Sequence, residues 1–188
     1  MKKGTVIIIA VVVVILLLVG IPVGQYNALV SAQTGVENEL ANIDTQLQRR
    51  MDLIPNLVET VKGFTTHETE VFTAVNESRE KLMGAGTMEE KAAANDEMTN
   101  ALNQLIAVAE AYPDLKSDTV YVGLMDELAG TENRIAVART NYNEAVTNYN
   151  LKIRKFPGNI FAGMFGFEKA ELFQVAEGAT PVPEVNFN

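Results

Sequence analysis

The chain has 188 residues, with 15 basic and 24 acidic side chains, a net charge of −9, and no cysteine. Lack of cysteine excludes disulfides, thiolate metal sites and thiol nucleophiles; the acidic balance repels phosphate, which excludes nucleic acid as a partner and disfavours docking on anionic lipid headgroups. Less an anchor, the length predicts one globular domain.

From Thr5 to Val23 the sequence carries no charged residue and is mostly Val, Ile and Leu, long enough to cross a hydrocarbon core. No small-x-small cleavage site follows it, so the stretch reads as an uncleaved transmembrane anchor over 5–24 and not as a signal peptide. Lys2 and Lys3 precede it, and no Lys or Arg occurs between it and Arg49. The positive-inside rule then puts residues 1–4 in the cytoplasm and the domain outside the cell membrane, as a single-pass protein. Gly20 and Gly24 have helix-dimer spacing, but Pro22 lies between them, and the stretch predicts a loosened helix end.

Tyr26 opens a helical pattern that runs to about Phe64. Its stripe is Val36, Leu40, Ile43, Leu47, Met51, Ile54, Val58 and Val61, at steps of three and four. Pro55 interrupts that run and costs roughly 3 kcal/mol through the hydrogen bond it removes at the Met51 carbonyl. Burying each of Ile54, Leu57, Val58 and Val61 contributes roughly 1.5 to 3 kcal/mol, so the pattern predicts one helix kinked at Pro55 around a partner.

Thr65-x-x-Glu68 and Thr87-x-x-Glu90 have the form of capping boxes and predict the starts of a second and a third helix. Their stripes are Val71, Val75, Ser78 and Leu82, ending at Gly84-Ala85-Gly86, and Met98, Leu102, Leu105, Ala109 and Tyr112, ending at Pro113-Asp114. A fourth helix is predicted from Ser117 or Asp118 to Phe156, with Leu124, Leu128, Ile135, Tyr142, Val146, Tyr149 and Ile153 on one side. Inside it Thr140–Val146 is repeated as Thr147–Ile153, a heptad period that marks bundle packing and assigns Tyr142 and Tyr149 to the core. Together these predict an all-α fold, an N-terminal transmembrane helix followed by an elongated up-and-down antiparallel four-helix bundle over 25–157. Residues 158–175, rich in Phe and Gly and without clear helical phase, are expected to cap the base of the bundle. Residues 176–188 are expected to form a flexible tail.

Chemistry-bearing residues are sparse. His67 is the single histidine and stands at a helix start, so it offers no imidazole pair for metal binding or for acid–base work. Glu89-Glu90 and Asp126-Glu127 are sequence neighbours that point about 100° apart on a helix and cannot share a proton. No phosphate loop or nucleophile elbow occurs, so the reading has no catalytic, cofactor or metal residues. Charge at the stripe edges says more. Counted from Leu47, Arg50 falls at about −60° and Asp44 at about +60°; counted from Leu128, Glu132 and Arg139 fall at about +40° and +20°. If the first and fourth helices run antiparallel, one register brings Arg50 to Glu132 and Asp44 to Arg139, predicting two partly buried ion pairs that specify register.

Several motifs lie at particular places in this pattern: Arg49-Arg50-x-Asp52-Leu53-Ile54-Pro55-Asn56-Leu57-Val58, Val61-Lys62-Gly63, Tyr26-Asn27-x-Leu29-Val30 and Tyr112-Pro113-x-Leu115-Lys116. With Glu127-Leu128-x-x-Thr131-Glu132-Asn133-x-Ile135, Ala138-Arg139-x-x-Tyr142-Asn143, Tyr149-Asn150 and Phe156-Pro157, they make residues 1 to 175 resemble the LemA family. The resemblance implies a membrane-anchored helical bundle of bacteria and carries no established reaction. The expected function is an interaction or scaffold module of the cell envelope and not an enzyme. It would meet membrane lipid through its anchor and an envelope protein, or a second copy of itself, through its bundle. A bilayer-contacting or membrane-shaping protein is the alternative, and a carboxylate-using envelope hydrolase a more distant one.

Overall fold

A computed structural model of the chain describes residues 3–65 and 67–173. Lys2, which enters the orientation argument, and the expected tail at 176–188 lie outside the described residues. The fold is all-α. Its helices are α1 (Lys3–Lys62), α2 (Thr69–Gly84), α3 (Met88–Ala109), α4 (Pro113–Lys116), α5 (Thr119–Arg154) and α6 (Gly158–Phe165). Among the described residues the chain groups into two compact units. The first takes residues 3–41 and 141–171, and the second takes 42–140 with 172 and 173.

α1 is one helix from the anchor to the end of the predicted stripe, so the expected loosening at Gly20-Ile21-Pro22 does not occur. The physical reason is the solvent: in an apolar medium a backbone group that leaves the helix finds no water, so the helix continues past its weak positions. The Ile, Val and Leu side chains described between Ile7 and Val23 are exposed, and none of the apolar span is buried by the rest of the chain. This is the one helix among the described residues long and apolar enough to cross a membrane.

In the second unit the stripes meet as their spacing requires. Ile54, Leu57, Val58 and Val61 pack with Val75, Met98, Leu105 and Leu115 in one core. α1 also continues through Pro55, whose side chain is exposed. The carbonyl of Met51, which a proline four residues on cannot serve, accepts instead from Nε of Arg79 on α2 at 3.1 Å. Lys81 pairs with Glu97, Ser78 reaches Met98, and the Tyr112 hydroxyl lies 3.5 Å from Glu68. Rising numbers on α2 thus meet falling numbers on α3, an antiparallel hairpin.

The helix starts were only half predicted. Thr87 and Glu90 form a full capping box at α3, the Thr87 hydroxyl accepting from the Glu90 amide and the Glu90 carboxylate accepting from Thr87 and Gly86 amides. The Thr65/Glu68 box does not form. Thr65 is buried and donates its hydroxyl back to the Val61 carbonyl, and Glu68 is itself the N-cap of α2, with no side-chain capping bond. Asp118 caps α5 by accepting from the Val120 and Tyr121 amides.

The capping box gives a pH prediction. The backbone donors at Thr87 and then Gly86 hold the Glu90 carboxyl below its ordinary range. A carboxyl depressed in the folded state contributes stability above its unfolded pKa and loses it as pH falls through the folded value. The protection of the Gly86 and Thr87 amides, taken relative to intrinsic exchange at the same pH, should therefore fall on acidification below pH ~4, and Glu90→Gln should show faster exchange at both amides already at neutral pH. Unchanged exchange in that variant would count against the carboxylate as the cap.

In the first unit, residues 158–165 are helical, contrary to the expectation of a segment without helical phase. Eight residues with two glycines are too few to display a period, and the boundaries are set by backbone geometry. Gly158 is buried where an added Cβ would stand 2.3 Å from the Lys152 carbonyl oxygen, so no larger residue fits this corner. At the other end Gly166 adopts φ 75°, and both it and Phe167 donate to the Ala162 carbonyl, a left-handed cap that reverses the chain.

Candidate functional site

Two polar arrangements stand out, one in each unit. In the second, Arg50 is buried at 4 % exposure. Its Nη1 donates to Asn95 Oδ1 at 2.7 Å and its Nη2 to Thr99 Oγ1 at 3.0 Å. Glu132 Oε2 lies 2.7 Å from Nη1 as a charge pair, though without a well-directed hydrogen bond, and Nε has no hydrogen-bond partner. Burial pushes the Arg50 guanidinium below its ordinary range, and the charges of Glu132 and Asp96 oppose that shift.

The structure does not bring Asp44 to Arg139. Asp44 Oδ1 pairs with Lys91 Nζ at 2.6 Å, and the Arg139 guanidinium stacks over the Phe173 ring at 4.5 Å. The expected register considered two helices, whereas α3 supplies a third set of side chains. Lys91, Asn95 and Thr99 recur at steps of four beside the Met98 stripe, and this ridge meets the polar edge of α1. The angular count that placed Arg50 also marks this ridge on α3, but it does not say which helix the ridge faces. Arg49, about 200° around α1 from Leu47, is half exposed and pairs with Glu127 at 2.7 Å. In such a position the pair contributes ~1 kcal/mol or less.

In the first unit the tyrosines of the heptad repeat do more than fill the core. Tyr142 and Tyr149 are buried, and their hydroxyls donate to the carbonyls of Glu171 at 2.9 Å and Glu168 at 2.7 Å. Asn150 both donates to the Ala170 carbonyl and accepts from its amide, at 2.9 and 3.0 Å. A seven-residue repeat on α5 thus holds the extended segment after Gly166. Burial first, then the Glu171 and Glu168 carboxylates, raises the two phenols above their ordinary range and keeps both hydroxyls as donors.

A cleft of about 390 Å³ opens beside this segment, lined by Gln33, Glu37, Tyr149, Phe167 and Glu168. A second, of about 360 Å³ in the other unit, is lined by Asn42, Gln46, Asn133 and Arg134. Neither contains a nucleophile paired with a base. His67 is exposed, and among the described residues no group of three or more His, Cys, Asp or Glu is placed to hold a metal ion. Arg50, the most enclosed charge among the described residues, is committed to Asn95, Thr99 and Glu132, an arrangement that fixes helices and leaves little for a substrate.

Comparison with known proteins places these features in a wider group. The chain is 31 % identical over 185 aligned positions to Magnetosome protein MamQ 2 of Paramagnetospirillum magneticum, covering 84 % of this chain and 68 % of that protein. It is 28 % identical, with the same coverage, to Magnetosome protein MamQ of Magnetospirillum gryphiswaldense. Protein LemA of Metamycoplasma hominis is 27 % identical over 159 positions, covering 82 % of this chain and 71 % of that one. The LemA family profile matches residues 39–187, which take in the Arg50 cluster, the Pro55 helix and the tyrosine repeat, and the chain belongs to the LemA family.

Proposed function

We propose that this membrane-associated helical protein is a single-pass envelope component with a cytoplasmic N-terminus, whose helices outside the membrane act as an interaction or scaffold module. The observation that carries the reading is the continuity of α1. One helix supplies both the exposed apolar span and the buried stripe of the bundle, so the bundle is attached to its anchor without an intervening linker. A helical body attached in this way suits positional work, and its net negative surface favours protein partners over nucleic acid. The partner is another envelope protein or a second copy of the chain.

Orientation rests on Lys2 and Lys3 preceding the span and the absence of Lys or Arg between the span and Arg49. Protease added to intact spheroplasts is expected to digest the bundle and leave the anchor fragment. Protection until the membrane is broken would overturn the orientation. Crosslinking in intact membranes, followed by capture of the full chain, tests the interaction role: a discrete crosslinked species is expected, and its absence at every crosslinker length would reject a scaffold.

A further inference from the structure

The geometry points to a second membrane contact: α6 and the turn before it lie in the headgroup layer of the leaflet from which α1 emerges. Tyr26 follows the last residue of the apolar span, Val23, by three positions, about 4.5 Å of helix rise. The headgroup region adds roughly 5 to 8 Å on each side of the hydrocarbon core, so Tyr26 falls within it. Its ring meets Phe165 edge-on at 5.0 Å between centroids and Phe167 at 5.8 Å, and Phe165 stacks with Phe161 at 6.4 Å. These contacts lie within the first unit and fix α6 at the depth of Tyr26.

The face that α6 turns away from the protein is apolar. Ala162 is buried, and Ile160 and Met164, each about 200° from it around the helix, are 55 % and 60 % exposed. Phe156, in the preceding turn, is 80 % exposed. An apolar cluster of this kind is expected to be covered, and at this depth the acyl-chain boundary is the available cover.

Charge supplies a second, independent observation. Between Glu144 and Glu168 the chain has no acidic residue and three basic ones, Lys152, Arg154 and Lys155, in a protein whose net charge is −9. All three are exposed at the end of α5, directly before Phe156. Cations flanking an apolar, aromatic helix face match lipid phosphates above acyl chains. This contact depends on α1 crossing the bilayer. It does not depend on which side the bundle occupies or on what the bundle binds.

The absence of native cysteine makes the test direct. Phe156→Cys, Ile160→Cys and Met164→Cys in the full chain, each carrying an environment-sensitive dye, are reconstituted into vesicles of phosphatidylethanolamine and phosphatidylglycerol. Asn148→Cys and Val12→Cys serve as the aqueous and deep references. Lipids brominated near the headgroup end of the acyl chain should quench the three sites at least about twofold more than Asn148→Cys, as expected of an interfacial helix. Lipids brominated deep in the chain should quench Val12→Cys more strongly than any of them. Water-like emission without quenching at the three sites, with Val12→Cys quenched, would overturn the contact. Blue-shifted emission without quenching would also overturn it, because protein, such as a second copy, would then cover the face.

Discussion

Glu132→Ala is expected to destabilise the chain by about 3 kcal/mol, the lower end of the range for breaking a buried ion pair, because it strands a guanidinium that cannot reach water. The asymmetry of the pair decides the size. The Arg50 side chain is 5 % exposed and that of Glu132 is 45 % exposed, so removing the carboxylate leaves a buried charge, whereas removing the arginine leaves a carboxylate that can hydrate. Asp96 and the bonds to Asn95 and Thr99 keep the cost from the upper end. Arg50→Met keeps much of the stem volume but leaves Asn95, 1 % exposed, without its donor, which costs roughly 1 to 3 kcal/mol. The double variant should then cost less than the two singles summed, by at least about 1 kcal/mol. Urea denaturation of the full chain in mild detergent, followed by helical circular dichroism, measures all three. Additive losses would mean that the pair exists without energetic coupling and does not specify register.

The Arg50–Glu132 contact and its neighbours show what a single sequence discloses. The stripes on α1, α3 and α5 were legible because long helices repeat a period many times, and Ile43, Leu47, Ile54, Val58 and Val61 are all buried at 8 % exposure or less. Arg50 could be placed at a stripe edge for the same reason. The rest of its cluster was not legible from two helices alone: Asn95 and Thr99 belong to α3, and which helix turns its polar ridge toward Arg50 is a matter of three-body packing. That same ridge takes Asp44 to Lys91. The tyrosine repeat was visible as a period, but its hydroxyl acceptors are backbone carbonyls nearly twenty and thirty residues further on, and no side-chain pattern marks them. Net charge misled in a related way. An average of −9 over the chain conceals the basic stretch at Lys152, Arg154 and Lys155, and headgroup contact depends on charge within about a Debye length.

Leu57→Ala should be the most damaging apolar substitution near Pro55, at about 2 to 5 kcal/mol, since Leu57 is fully buried in the core and its removal leaves a cavity that surrounding helices close only in part. Pro55→Ala, two residues away and exposed, should by contrast yield less than the roughly 3 kcal/mol that an interior proline ordinarily costs. The reason lies at Met51, whose carbonyl already accepts from Arg79 Nε at 3.1 Å. Replacing the proline adds an amide donor to an oxygen that has one. Arg79→Ala is therefore expected to cost roughly 1.5 to 3 kcal/mol beside Pro55, the value of a hydrogen bond to a charged donor. In the Pro55→Ala background it should cost at least about 1 kcal/mol less, because the restored helical amide takes over the carbonyl. The same denaturation series measures this cycle. Equal losses in the two backgrounds would show that α2 docks on α1 through packing alone, and the proline would then have no part in joining them.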